Sequence, residues 1–281
     1  MSLTEVETRY AVGPNEVKGF DTNQLRNEFL VDKLMQPNQV YWVYSHYERF
    51  MVGSAVPTVQ PLQLETLEPL KAATFLHGRE LGVINVGGQG TITVDGTCYS
   101  LNYQDALYIG KDNQQVIFAS DDAATPAKFY LNSAPAHHAY PTQLVTKQDA
   151  NVLHLGSLAT SNERDIRQML ISTVVKTCQL QMGLTALNTG SVWNTMPAHQ
   201  HDRRNEVYFY FEVPESQAVC HFMGQPQETR HIWVHNEQAV ISPPWSIHAG
   251  SGTQNYSFIW GMAGENLDYD DMDKYQPNEL R

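Results

Sequence analysis

His199 and His201, with Glu206 five residues further on, form the richest cluster of potential metal ligands in this 281-residue chain. Residues two apart on a strand share a face, so the two histidines can aim together into a barrel interior. Glu206 opens an apolar run (207–211) after the polar connection Asp202, Arg203, Arg204. A carboxylate placed there is costly to bury without a partner. His248 follows AVISPPWSIH (239–248), where a strand runs into a Pro-rich turn and returns. Three imidazoles and one carboxylate suit a divalent transition metal and leave one or two positions for water or substrate.

The elements that must carry these side chains read as strands. Short β-branched and aromatic runs lie at 40–45, 90–94, 106–109, 115–119, 206–213, 239–242 and 256–261, a pattern of sandwiches and barrels. TITVDGTCY (91–99) is a hairpin signal, because Asp95-Gly96 supports the positive backbone angles of a two-residue turn. A short helix is expected over 21–29, and Thr160 with Glu163 fits a capping box. The Pro-containing stretch 133–163 separates two halves, giving expected domains 1–145 and 146–281. RELGVIN (79–85) matches NEVYFYF (205–211), and DALYI (105–109) matches QAVIS (238–242), with seven extra residues in the second half. On this match Glu80 corresponds to Glu206, while Ala73, Phe75 and Gln115 stand where His199, His201 and His248 do. Only the second half therefore carries a metal site.

Composition excludes several classes. A formal net charge of -12 repels nucleic acid, and no run approaches the roughly 18 apolar residues of a membrane helix. No signal-like segment opens the chain, so a soluble cytoplasmic protein is expected. Cys98, Cys178 and Cys220 form neither a C-x-x-C pair nor a disulfide pattern. Gly87-Gly88-Gln89-Gly90 lies between strands and reads as a turn, His137-His138 as solvated junction, and no nucleophile elbow is present.

H-x-H, a spacer and Glu, then a Pro-containing turn leading to His, resembles the two cupin motifs, with Trp245-Ser246 where glycine is common. That resemblance implies an all-β fold of two cupin-like (jelly-roll) β-barrels in tandem with a few short helices. NEFL (27–30), RELGVIN, WNTMP (193–197), MGQPQETRH (223–231), NEQAVIS (236–242) and FIWG (258–261) resemble the 5-keto-4-deoxyuronate isomerase family. The resemblance runs from about residue 20 to the C-terminus. It implies one Zn2+ per chain on His199, His201, Glu206 and His248, a homo-hexamer, and a place in pectin and uronate degradation. The implied reaction turns 5-dehydro-4-deoxy-D-glucuronate into 3-deoxy-D-glycero-2,5-hexodiulosonate. It requires acidifying a C–H beside a carbonyl and holding the enediolate, or a hydride shift. Tyr208, Glu228 and Tyr256 are candidates for proton transfer, and Arg203, Arg204 and Arg230 for binding the substrate carboxylate. A cupin dioxygenase, a non-catalytic sugar-binding bicupin and a 5-deoxyglucuronate isomerase are the competing readings.

Overall fold

The computed structural model describes residues 4–265 and 267–281 and is built almost wholly of strands, arranged in sheets of seven, four, seven and five. Two compact units result. The first comprises residues 4–9, 33–151 and 169–182, and the second comprises residues 10–32, 152–168 and 183–281. The units therefore exchange segments, where the sequence suggested one division at 145/146. Strand pairing accounts for the first exchange. Leu30–Val31 pairs antiparallel with Gln238–Ser242 and becomes the edge strand of the second unit's seven-stranded sheet. The helix Thr22–Phe29 leads into it. Asp21 caps this helix by accepting the Gln24 N–H at 2.8 Å, and Gln24 returns the bond at 2.9 Å. No helix among the described residues is long and apolar enough to cross a membrane.

Each unit packs a seven-stranded sheet against a smaller one, the arrangement of a jelly roll. In the first unit, Arg79–Asn85 lies between Ala106–Ile109 and Phe129–Pro135. In the second, Arg204–Phe211 lies in the same way between Gln238–Ser242 and Ser257–Gly264. The expected hairpin forms from Gly90–Val94 and Thr97–Leu101, with Asp95 at φ 45° and Gly96 at φ 85°. The capping box at Thr160 does not start a helix. Thr160 bonds instead to Ser157 and Asn162, Ser161 turns left-handed at φ 54°, and the strand Arg164–Leu170 follows.

The correspondence of the two halves is shifted by one residue. Leu81 pairs with Ile109, whereas Glu206 pairs with Ser242, so Leu81 and not Glu80 occupies the place of Glu206. Side chains alternate along a strand, so this slip reverses the face. Leu81, Val83, Leu107 and Ile109 pack into the first unit's apolar core with Ile92 and Phe118. Glu80 points the other way, fully buried, and accepts the N–H groups of Cys178, Gln179 and Leu180 at 2.8–2.9 Å and the Tyr108 hydroxyl at 2.7 Å. This clamp holds residues 169–182 on the first unit. Phe75 is core, stacked 4.9 Å from Trp42, while Ala73 and Gln115 are exposed.

Candidate metal centre

Geometry at the site starts with an irregular strand. Trp193–Gln200 pairs with His248–Gly252 at Asn194↔Gly250 and again at His199↔His248, so five residues on one side advance against two on the other. The bulge sets His199 directly across from His248. His201 follows at the strand's end, and Glu206 projects from Arg204–Phe211. One donor atom from each of His199, His201, Glu206 and His248 lies within 4.8 Å of the others, and this is the only such group among the described residues.

Glu206, His201 and His248 are buried, and Glu206 Oε2 stands 2.9 Å from Nε2 of both His201 and His248. Burial pushes the Glu206 carboxyl up, but the neighbouring imidazoles of His248 and His201 outweigh it and hold it well below the usual range. Burial, then the nearby His248, keeps His199 neutral far below the usual imidazole value. His201 Nδ1 lies 2.7 Å from the Asp271 carbonyl, which fixes the proton there and leaves a lone pair on Nε2. A lone pair facing a carboxylate oxygen at 2.9 Å is repulsive unless a proton or cation lies between them. Both ring nitrogens of buried His248 lack a well-formed hydrogen bond. These donors therefore fit a divalent cation of the borderline class that accepts nitrogen and oxygen.

Arg204 supplies the support. Buried, it donates to the carbonyls of Asp268, of Tyr269 at 2.9 Å and of Asp271 at 3.4 Å. The acidic stretch 268–273 is thus drawn over the site, and its Asp271 carbonyl orients His201. Arg204 is consequently a clamp on the protein's own backbone and not a substrate cation. Arg203 is exposed and paired with Glu265 at 2.7 Å. Arg230 and Glu228 pair with each other at 3.2 Å, and Arg230 also bonds to the Lys18 carbonyl. None of these four lines the cavity in front of the metal ligands. Tyr256 is buried behind it, its hydroxyl 2.6 Å from Asn194 Nδ2. Of the sequence candidates beyond the ligands, Tyr208 alone faces this cavity of about 300 Å³.

Four charged or phenolic groups that the sequence reading passed over also line it: Arg164, Tyr269, Asp270 and Lys274. Arg164 and Ile166 share one face of the strand Arg164–Leu170, a period-two signal obscured by the capping-box pattern of Thr160 and Glu163 that points to a helix there. The sole hydrogen-bond partner of Arg164 among the described residues is the Asn162 carbonyl, at 2.8 Å. Burial lowers its pKa, opposed by the Tyr208 and Tyr269 phenols. A guanidinium with no carboxylate partner at the wall of a cavity is a ready anion site.

Deeper in the barrel, His221 is fully buried with Nδ1 2.7 Å from the Tyr210 hydroxyl. Burial and then the nearby His248 push its pKa down to about 3, against the pull of Glu206. Between pH 6.5 and 3 the unfolded chain protonates this residue while the folded chain does not, so stability falls as pH falls. The expected loss is about 2 kcal/mol by pH 5. Denaturant unfolding of chelator-treated protein at pH 7.5 and 5 should show this slope in the wild type, and His221→Gln should lack that share of it.

Residues 29–276 match the model of the KduI/IolB family. The chain is 64% identical over 278 residues to the 4-deoxy-L-threo-5-hexosulose-uronate ketol-isomerase of Formosa agariphila, covering 99% of each chain. It is 54% identical to enzyme 1 of that name from Bacteroides thetaiotaomicron, covering 96% of each. An IolB-like protein of Salmonella typhimurium superposes with a TM-score of 0.65 at 14% identity over 80% of this chain and 87% of that one. The Lactobacillus farciminis oxalate decarboxylase does so with 0.57 at 10% identity over 80% and 79%. These structural likenesses support the two-barrel cupin fold. With the family match spanning most of its length and relatives above half identity covering nearly all of it, the chain belongs to the KduI/IolB family.

Proposed function

We propose that this ketol-isomerase is zinc-dependent and converts 5-dehydro-4-deoxy-D-glucuronate to 3-deoxy-D-glycero-2,5-hexodiulosonate in the breakdown of pectin-derived uronates. The supporting observation is one cavity lined by His199, His201 and Glu206 of the four-donor cluster that His248 completes, by the unpaired Arg164 guanidinium and by the Tyr208 phenol. The relatives' names agree with this reading. A homo-hexamer working in the cytoplasm, without nucleic-acid or membrane partners, completes the proposal.

A divalent ion held by the four ligands would supply Lewis acidity, polarising the carbonyl and making the neighbouring C–H more acidic. Arg164 anchors the substrate carboxylate and so sets which end of the sugar acid reaches the ligands. Burial, and then the Glu206 carboxylate, raise the Tyr208 pKa well above the usual phenol value, so it enters the reaction protonated. Its hydroxyl gives a proton to the aldehyde oxygen that becomes a hydroxyl and takes one back from the hydroxyl that becomes the ketone, while the hydrogen on the hydroxyl-bearing carbon passes to the aldehyde carbon, as a proton through an enediolate or as a hydride. Electrons stay within the substrate.

Parallel turnover assays with 5-dehydro-4-deoxy-D-glucuronate and 5-deoxyglucuronate, with oxygen uptake followed, test the assignment. Turnover of the first alone, without oxygen consumption, is expected. Preference for the second would make this an inositol-type uronate isomerase, and oxygen uptake would make it a dioxygenase. Arg164→Ala should raise KM about 10- to 100-fold, the value of a charge-assisted contact, with a smaller change in kcat. Arg164→Lys should recover part of the loss, and an unchanged KM in both variants would place the carboxylate elsewhere.

A further inference from the structure

We propose that Thr195 is a positioning residue whose hydroxyl aims the Tyr208 phenol into the metal cavity. The proposal rests on the functional reading above and assigns a role that the ligand set alone does not require. Thr195 opens the bulge between the pairs Asn194↔Gly250 and His199↔His248. Its φ of 49° is left-handed, a region that a β-branched side chain enters only under strain. Glycine or asparagine would sit there more comfortably. The strained backbone brings Thr195 Oγ1 to 2.8 Å from the Tyr208 hydroxyl, and both residues line the cavity.

Tyr208 has no other hydrogen-bond partner among the described residues. With the Thr195 hydroxyl as donor, the phenol oxygen is satisfied and its own proton is directed away from Thr195, toward a substrate oxygen. The Tyr208 ring is 5.2 Å from the His248 ring, so the phenol stands beside the metal ligands. Strain retained at this one residue, and a hydrogen bond from that residue to a cavity phenol beside the metal-fitting donors, have a common explanation in aiming the proton. A bulge needed only to align His199 with His248 would not require a hydroxyl at this position.

The test is a double-mutant cycle on zinc-loaded protein, with zinc content and thermal midpoint confirming that each variant folds. Thr195→Val should lower kcat about tenfold or more with KM within about threefold, and Thr195→Ser should restore it. In a Tyr208→Phe background, Thr195→Val should cost nothing further, because the phenol it serves is gone. Full kcat in Thr195→Val, or losses that multiply in the double variant, would overturn the proposal. Thr195→Ala replaces valine in the cycle if valine does not fold. Thr195→Gly should lose the same kcat while its thermal midpoint holds or rises, and a fall in midpoint would contradict strain held for function. The hydrogen bond is read separately in protein labelled with 13C at tyrosine Cζ. There the Tyr208 resonance should shift in Thr195→Val and stay in Thr195→Ser. An inactive wild type would sink the uronate assignment, while this resonance still decides the Thr195–Tyr208 contact.

Discussion

His248→Ala is expected to leave the purified chain without stoichiometric zinc and to lower kcat/KM on the uronate by about 10³-fold or more. The site's electrostatics cause both losses. Glu206 is buried, and its Oε2 stands 2.9 Å from the imidazole nitrogens of both His201 and His248. Removing His248 takes away one ligand and one of the two groups that hold this carboxylate in its ionised form. The remaining donors then bind the cation more weakly, and burial favours protonation of Glu206, which weakens it again. The loss should accordingly be steeper at pH 6 than at pH 8. Metal analysis of wild type and variant, purified side by side and then titrated with zinc, measures both effects. Retention of one zinc per chain by His248→Ala would mean that the ion sits elsewhere.

The cluster of donors that could hold a metal was legible because it is local. H-x-H at strand spacing, a carboxylate at the head of the next apolar run and a histidine after a Pro-rich turn can all be seen without knowing how the sheets pair. The groups around it were not legible, because they arrive through long-range pairing. Arg164 reaches the cavity from a strand that starts just past the 133–163 junction and behind the apparent helix cap at Thr160, and Asp271 reaches His201 because Arg204 gathers the acidic stretch by its carbonyls. Arg203, Arg204 and Arg230 are near the ligands in sequence, yet sequence proximity says little about which face a side chain takes. Arg203 points to Glu265 and Arg230 to Glu228, and both charges are already matched. The two-barrel architecture followed from strand periodicity and motif order, but not the exchange of residues 10–32 and 169–182 between units. That exchange depends on edge-strand pairing and on a buried carboxylate, neither of which has a local signature.

That carboxylate gives the largest expected change in stability. Glu80 Oε1 accepts the N–H groups of Gln179 and Leu180, and Oε2 accepts the N–H of Cys178 and the Tyr108 hydroxyl. In Glu80→Leu three backbone donors and a phenol lose their acceptor inside the protein. At about 1–3 kcal/mol for each buried group left unsatisfied, and allowing for relaxation, the loss should be at least about 4 kcal/mol. That corresponds to a thermal midpoint lower by roughly 10 °C for a chain of this size. Glu80→Gln separates charge from geometry. Its amide can keep the carbonyl oxygen toward Gln179 and Leu180 and turn its NH2 toward Tyr108, whose hydroxyl can rotate to accept, so only the Cys178 N–H is stranded. It should cost about 1–3 kcal/mol, less than the leucine variant. Equal losses in the two variants would show that the charge and not the count of acceptors holds residues 169–182. A loss below about 0.5 kcal/mol in both, the range of ordinary surface substitutions, would show that the clamp contributes nothing.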